Sequence, residues 1–348
     1  MLSKNWLVLV LLESVVAFQV VPHGAKTRLV RPTTTSRPVC EQFVEAPLVE
    51  TEFEDAAAFS LSKETLQSWT IFSGAVGVVL SALYVLWIRD DTGYCDDFLN
   101  AVDVGDPHLT TLVLGIIFGV VHSGLAALRP KGEDIIGARA WRVLFACASL
   151  PLAYAWILFF LTHRYDGFEL LRLPTSYHPA LFVVNLISFL FLYPSTFNLK
   201  EVAAVDKPEL HLWGTGVARI TRHPQAFGQF LWSTAHGLAI GTSVTWVTMA
   251  ILIGHHAYST IHGDARLQAK HGDKFLKLKE TTSVIPFAAI LDGRQQLPPN
   301  YIQNEWLRGP YLVVLLGSLG AYAAHPYMQA FAATVQNTPL VPGGLFSS

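Results

Sequence analysis

Seven apolar runs govern what this chain can become. They lie near residues 69–88, 109–128, 141–161, 180–197, 224–240, 245–261 and 310–324. Each is about 15–21 residues, close to the roughly 20 that carry a helix across bilayer hydrocarbon. In lipid every backbone polar group needs an internal partner, so such runs become α-helices. The chain is predicted to be an all-α, polytopic transmembrane helix bundle of about seven spans, or six if residues 225–261 re-enter from one face. Composition agrees: 51% of the 348 residues are hydrophobic and only 14% are charged. A net charge of −2 supplies no basic field. Nucleic acid is thereby excluded as a partner, and membrane lipid is expected.

Loop charge orients the bundle. Loop 89–108 is acidic, with Asp90, Asp91, Asp96, Asp97, Asp103 and Asp106. Loop 129–142 holds Arg129, Lys131, Arg139 and Arg142, and loop 198–222 holds Lys200, Lys207, Arg219 and Arg222. Loop 262–309 is also basic, from Arg266 to Arg308. With seven spans these three basic loops share one face, as positive-inside asymmetry requires.

The first 39 residues read as a bipartite plastid-targeting presequence. "MLSKNWLVLVLLESVVAFQVV" has a lysine, a short apolar core and small residues before Phe18, the form of a signal peptide. "HGAKTRLVRPTTTSRPV" is rich in Arg and Thr and lacks acid, which is transit-peptide composition. Together they imply the plastid membrane of an alga with a complex plastid, the basic face toward the stroma. Residues 40–66 are acidic and predicted to be a flexible linker. Residues 67–330 form the membrane domain and 331–348 a C-terminal tail. Cys40, Cys95 and Cys147 form no CxxC and no disulfide framework.

Polar side chains inside the spans carry the functional signal. In "RITRHPQAFGQFLWSTAHGLAIG", residues 219–241, Gln225, Gln229, Trp232 and His236 recur at spacings of 4, 3 and 4. They share one helix face, predicted to point into the bundle. In the second run Gly115, Gly119, His122 and Ala126 repeat that spacing. Small residues admit a close helix, and would equally admit a flat macrocycle. His255 and His256 end the sixth run, about 100° apart on a helix, so at most one serves a given site. Buried helix histidines ligate metal or haem, relay protons or bond neighbours. No Asp or Glu stands within the runs to complete a relay. Zinc calls for several ligands at matched height; haem needs one or two imidazoles in an apolar pocket. There is no CxxCH, no Walker A and no GxGxxG between strand and helix, which argues against covalent haem and nucleotide chemistry. Pro224 suits the first turn of its helix. Arg222 reads as a snorkelling anchor, and Asp264 with Arg266 as a surface pair or headgroup contact. Arg222 or Arg266 could instead meet a haem propionate.

"GVVHSGLAALRP", "RITRHPQAFGQFLW", "GHHAYSTIHGDARL", "TTSVIPFAAILDGRQQLP" and "YAAHPYMQ" together resemble the plastid carotene isomerases of the NnrU-like membrane family, over about residues 67–330. The resemblance implies a haem b (iron) enzyme of carotenoid biosynthesis. Such an isomerase converts 9,15,9′-tri-cis-ζ-carotene to 9,9′-di-cis-ζ-carotene by redox-gated cis–trans isomerisation. ζ-Carotene is the implied substrate, with phytoene desaturase and ζ-carotene desaturase as neighbouring enzymes. The implied iron ligands, and catalytic residues, are His122 and His236. His163, His223 and His255 are further family histidines and alternate ligands. Gln229, Trp232 and Arg222 are assigned to the cofactor pocket. Ser233 stands where plant members tend to carry Cys, which removes a thiolate ligand here. Depth introduces a tension: at 1.5 Å per residue, His122 and His255 lie about 10 Å from the basic-face end, and His236 about 20 Å. His122 with His236 ranks first and His122 with His255 second.

Two other readings compete. "RHPQAFG" with "GDARLQAKHGDKFLKLKETTSVIP" also resembles the isoprenylcysteine methyltransferase superfamily, which implies S-adenosylmethionine near Arg-His-Pro. Asp264 departs from that pattern, since Glu is usual there. The other is a haem or quinone electron-transfer subunit.

Overall fold

A computed structural model describes residues 53–58, 64–89, 93–203, 205–207 and 209–336. The presequence, most of the acidic stretch and the end of the tail lie outside the described residues. Among the described residues β pairing is confined to isolated bridges, Glu54 with Trp213 and Glu169 with Thr242. The rest is helix and loop, as the hydropathy pattern predicts.

All seven apolar runs are helical. α1 (Leu66–Leu83) continues as a π turn over Tyr84–Ile88. After α2 (Tyr94–Val102) come α3 (Pro107–Ile136), α4 (Ala138–His163) and α5 (His178–Leu192). Short helices α6 (Leu199–Val202) and α7 (Val217–Ile220) lead to α8 (Pro224–Ile240) and α9 (Ser243–His271). α10 (Asp273–Thr281), α11 (Ala288–Leu291) and α12 (Gly309–Gln336) complete the order. Local chemistry sets several starts. Asp106 accepts from the amides of His108 and Leu109, with Pro107 at the first helical position of α3. Thr242 caps α9 by accepting from Thr245 N, and Pro224 opens α8 as predicted.

Among the described residues four helices are long and apolar enough to cross a bilayer: Leu66–Ile88, Pro107–Ile136, Ala138–His163 and Thr175–Leu192. The seven-span prediction is thus met in full only by these four. The other three runs are helices too, but α8 has only 17 residues. α9 runs past its apolar part through His262, Asp264, Arg266 and Lys270.

Small residues mark the helix crossings, since they let backbones approach closely. A Cβ added at Gly132 of α3 would stand 2.0 Å from the Trp141 ring of α4. One added at Gly115 would stand 2.6 Å from Ile251 Cγ2 of α9. Gly228 of α8 faces Ser188 and Leu192 of α5, and Ser188 Oγ donates to the Gly228 carbonyl at 2.7 Å. Hydroxyls knit the α3–α4–α9 crossing: Trp156 Nε1 donates to Thr111 Oγ1 at 3.0 Å, which bonds Thr248 Oγ1 at 3.0 Å. α8 and α9 form an antiparallel hairpin across Gly241 (φ 86°) and Thr242. That conformation favours glycine, and a Cβ there would meet Arg172 at 2.4 Å.

Part of the acidic stretch is docked rather than free. Glu54 N donates to Leu212 O at 2.8 Å, and Gly214 N donates to Glu54 O at 2.9 Å. Asp55 pairs with Arg308 and accepts from Thr215 Oγ1 at 2.6 Å, while Ala57 is buried against Tyr311 and Val217. His211 sits between two carboxylates, bonded to Glu54 through Nδ1 and to Glu201 through Nε2 at 3.0 Å. Burial opposes protonation of His211, but the two carboxylates prevail and hold it above its ordinary value.

Candidate functional site

The small-residue face of α3 is occupied by a helix. Gly115 packs on Ile251 and Trp156, and Gly119 faces His255, whose Nδ1 would lie 3.5 Å from an added Cβ. The glycines therefore let α9 come close enough for its histidine to reach that of α3. The His122 and His255 ring centroids are 5.7 Å apart, inclined at 70°. Phe118 stacks on His122 at 5.1 Å and also meets His255 at 5.6 Å. Phe145 of α4 meets His122 edge-on at 4.8 Å. His122 Nδ1 is buried with no hydrogen-bond partner. A buried imidazole nitrogen without a partner is costly unless something fills its coordination. His256 makes ring contact with His255 at 5.7 Å. Phe145 was not legible from spacing, because it reaches the site from another helix; Phe118 stands one helical turn before His122.

His236 occupies a different place. Its ring stacks on Trp232 at 4.0 Å, and its Nδ1 bonds the Trp232 carbonyl at 2.9 Å. That bond assigns the proton to Nδ1 and leaves the Nε2 lone pair available, the tautomer of a metal-ready imidazole. Gly237 packs against Trp246 across the hairpin, so residue 236 is level with about residue 247. His255 then stands about eight residues, or about 12 Å, farther toward the basic face. The depth tension read from the sequence persists in three dimensions. His236 lies instead within Coulomb range of His325 of α12, which in turn lies within Coulomb range of His178 of α5.

The polar stripe of α8 is not its most buried face. Gly228, Ser233, Ala235 and Gly237 are buried, whereas Gln225 is exposed and Gln229, Trp232 and His236 are half-buried. The physical reason is packing: α5 and α9 both press on the small residues of α8. Gln229 Nε2 donates to the buried Ser233 Oγ at 2.9 Å.

At the start of α8, Arg222 and His223 converge on Asp264 of α9. Arg222 Nη2 donates to Asp264 Oδ2 at 2.8 Å, and His223 Nε2 bonds Oδ1 at 2.7 Å. Arg222 N also donates to Ser283 O at 3.0 Å. Arg222 is thus more than a surface anchor, and Asp264 takes Arg222 and His223 rather than the predicted Arg266. Burial would raise the Asp264 carboxyl, but the hydrogen bond from Arg222 and the charges of His223 and Arg222 hold it below its ordinary value. Burial pushes His223 below its own, against the pull of Asp264. His223 Nε2 is engaged by Asp264. His163 lies at the far end of α4, stacked on Phe159 at 4.1 Å with Nδ1 bonded to the Phe159 carbonyl at 3.0 Å. Among the described residues no group of three or more His, Cys, Asp or Glu is set to hold a bare metal ion.

Fold and site define an all-α protein with membrane-length helices whose buried imidazoles meet across helix crossings. Residues 111–333 match the NnrU protein family, and the chain belongs to it. The chain is 53% identical over 281 residues to a Zea mays protein named 15-cis-zeta-carotene isomerase, chloroplastic, spanning 80% of this chain and 76% of the relative. It is 52% identical over 280 residues to the Arabidopsis thaliana protein of the same name, spanning 79% and 76%. No solved structure matches the chain.

Proposed function

We propose that this protein is a 15-cis-ζ-carotene isomerase, a cis–trans isomerase of carotenoid biosynthesis in a plastid membrane, and that it acts with a haem b. The names of the two relatives support the isomerase reading and weigh against the methyltransferase and electron-transfer readings. One observation carries the haem: His122 presents a buried, unpartnered nitrogen beside a second imidazole and between two phenyl rings. That donor set fits a porphyrin iron, which takes one or two neutral imidazoles in apolar surroundings.

His122 is the ligand shared by both proposed pairs. Ring proximity supports His255 as its partner in this conformation. The tautomer set by the Trp232 carbonyl supports His236, which would have to shift about 12 Å along α9 to share the same iron. When bound, the haem would supply reversible electron donation to the polyene, weakening the central double bond enough to turn. The chain's own residues do the rest. Phe118 and Phe145 keep water from the imidazoles, and dry surroundings strengthen every electrostatic contact there. Gln229 and Ser233 bond each other beside Trp232 and hold that wall of α8. The substrate is 9,15,9′-tri-cis-ζ-carotene, an apolar molecule delivered from lipid, and the desaturases acting before and after it are the expected neighbours.

Visible spectra of the parent, His122→Ala, His236→Ala and His255→Ala, each oxidised and reduced, test the assignment. His122→Ala is expected to lose the haem Soret band. The variant that turns low-spin iron high-spin names the second ligand. A parent without bound haem, or a His122→Ala spectrum identical to the parent's, refutes the reading. Reduced enzyme is expected to isomerise pure substrate in the dark while oxidised enzyme does not; equal rates discard the redox gate.

A further inference from the structure

Three guanidiniums gather on the basic side of the imidazole pair. On α3, Arg129 follows His122 by seven residues; on α9, Arg266 follows His255 by eleven. Both spacings return to the same helix face. On α4, Arg142 precedes Phe145 by three residues, and the Phe145 ring touches His122. Arg142 lies within Coulomb range of Arg129, Arg266, Glu133 and Glu201, and Arg266 within range of Arg129 and Glu133. All three arginines are half-buried.

Their counter-charges are committed. Glu133 accepts from Arg129 Nε, and Glu201 is taken by His211. Arg142 Nε is buried and has no hydrogen-bond partner. Like charges this close repel, and an unpaired buried guanidinium N–H is costly. An anion entering the cluster would relieve both. Its distance from the imidazoles limits which anion. Arg129 stands about 10 Å and Arg266 about 16 Å beyond the histidine of its own helix, and both side chains lean back toward the helix N-terminus, here toward that histidine.

We propose that Arg129, Arg142 and Arg266 bind the two propionate carboxylates of the porphyrin whose iron His122 takes, a site that rests on the haem reading above. The arginine fork matches a carboxylate with two parallel bonds, and three helices supply forks to two carboxylates. His122, His255 and Phe145 would then meet the apolar porphyrin body, and the three arginines its carboxylates.

The full-length apoprotein in detergent, titrated with haem b and with haem b dimethyl ester, tests this through the Soret band. The ester keeps the iron and caps both carboxylates. The parent is expected to bind haem b about ten-fold or more tightly than the ester, the worth of a charge-assisted hydrogen bond. Arg142→Gln and Arg266→Gln are each expected to erase most of that preference, weakening haem b while leaving ester affinity and Soret position unchanged. Equal binding of both porphyrins by the parent overturns the propionate site and leaves the haem reading intact. So do variants that retain the preference and lose co-purifying anionic lipid instead, since the cluster then serves a headgroup phosphate. Binding of neither porphyrin defeats the haem reading and this proposal together.

Discussion

Gly115→Ala and Gly119→Ala, one helical turn apart, are predicted to change stability in opposite directions. At Gly115 the new methyl would stand 2.6 Å from Ile251 Cγ2 and 3.1 and 3.2 Å from the Trp156 ring. Trp156 is 6% exposed and its Nε1 is held by Thr111, so the indole cannot give way. Overpacking of this kind costs about 1–3 kcal/mol. Alanine returns about 1 kcal/mol of helix propensity over glycine. The net is a loss of up to about 2 kcal/mol. At Gly119 the methyl would meet His255 Nδ1 at 3.5 Å, ordinary van der Waals contact. Propensity then acts alone, and the variant is expected to be more stable by up to about 1 kcal/mol. Unfolding in detergent by SDS titration, followed by tryptophan fluorescence, measures both; Trp156 sits at the contact and reports its loss. The same variants should separate in haem retention, because Gly115→Ala pushes α9 and its His255 away from His122. If Gly115→Ala proves as stable as Gly119→Ala, the close α3–α9 crossing is wrong, and with it the proximity of the two imidazoles.

Asp264→Asn removes the carboxylate from between Arg222 and His223, all three largely buried, and is expected to cost about 3–5 kcal/mol in a thermal melt, as breaking a buried pair does. A loss below about 1 kcal/mol would show the cluster to be solvated. Glu305 accepts from Arg219 Nε at 2.8 Å and from Gly216 N at 2.5 Å in a buried setting; Glu305→Gln should therefore lower the melting temperature, with Arg219→Met restoring part of the loss. An unchanged melt for Glu305→Gln would contradict that buried pair. His211 predicts a pH effect. Its folded value is raised by Glu54 and Glu201, so its stabilisation is full below the ordinary value of about 6.5 and fades as pH climbs through the raised one. Limited proteolysis near Phe53 should accelerate over that rise, and His211→Gln should flatten the dependence.

Hydropathy and end-capping chemistry alone determine the helices of this protein. Runs of apolar residues cannot leave backbone groups unpaired in lipid, so the helices of membrane length follow from composition; the same apolar pattern marks α8, α9 and α12 as helices, and Asp106, Pro107, Pro224 and Thr242 mark starts. Depth arithmetic along single helices also sets His122 level with His255, because rise per residue is a property of one helix. What lies between helices was not legible. The face of Gly115 and Gly119 could have held a macrocycle; only packing assigned it to Ile251 and His255. Asp264 meets Arg222 across 42 residues of chain, and Glu54 meets His211 across 157. The stripe of Gln225 and Gln229 is periodic in sequence, yet α5 and α9 took the small residues of α8 instead. Periodicity tells which side chains share a face. Which face meets which neighbour depends on the rotation and register of whole helices, and close packing of their small residues decides that only when the bundle assembles.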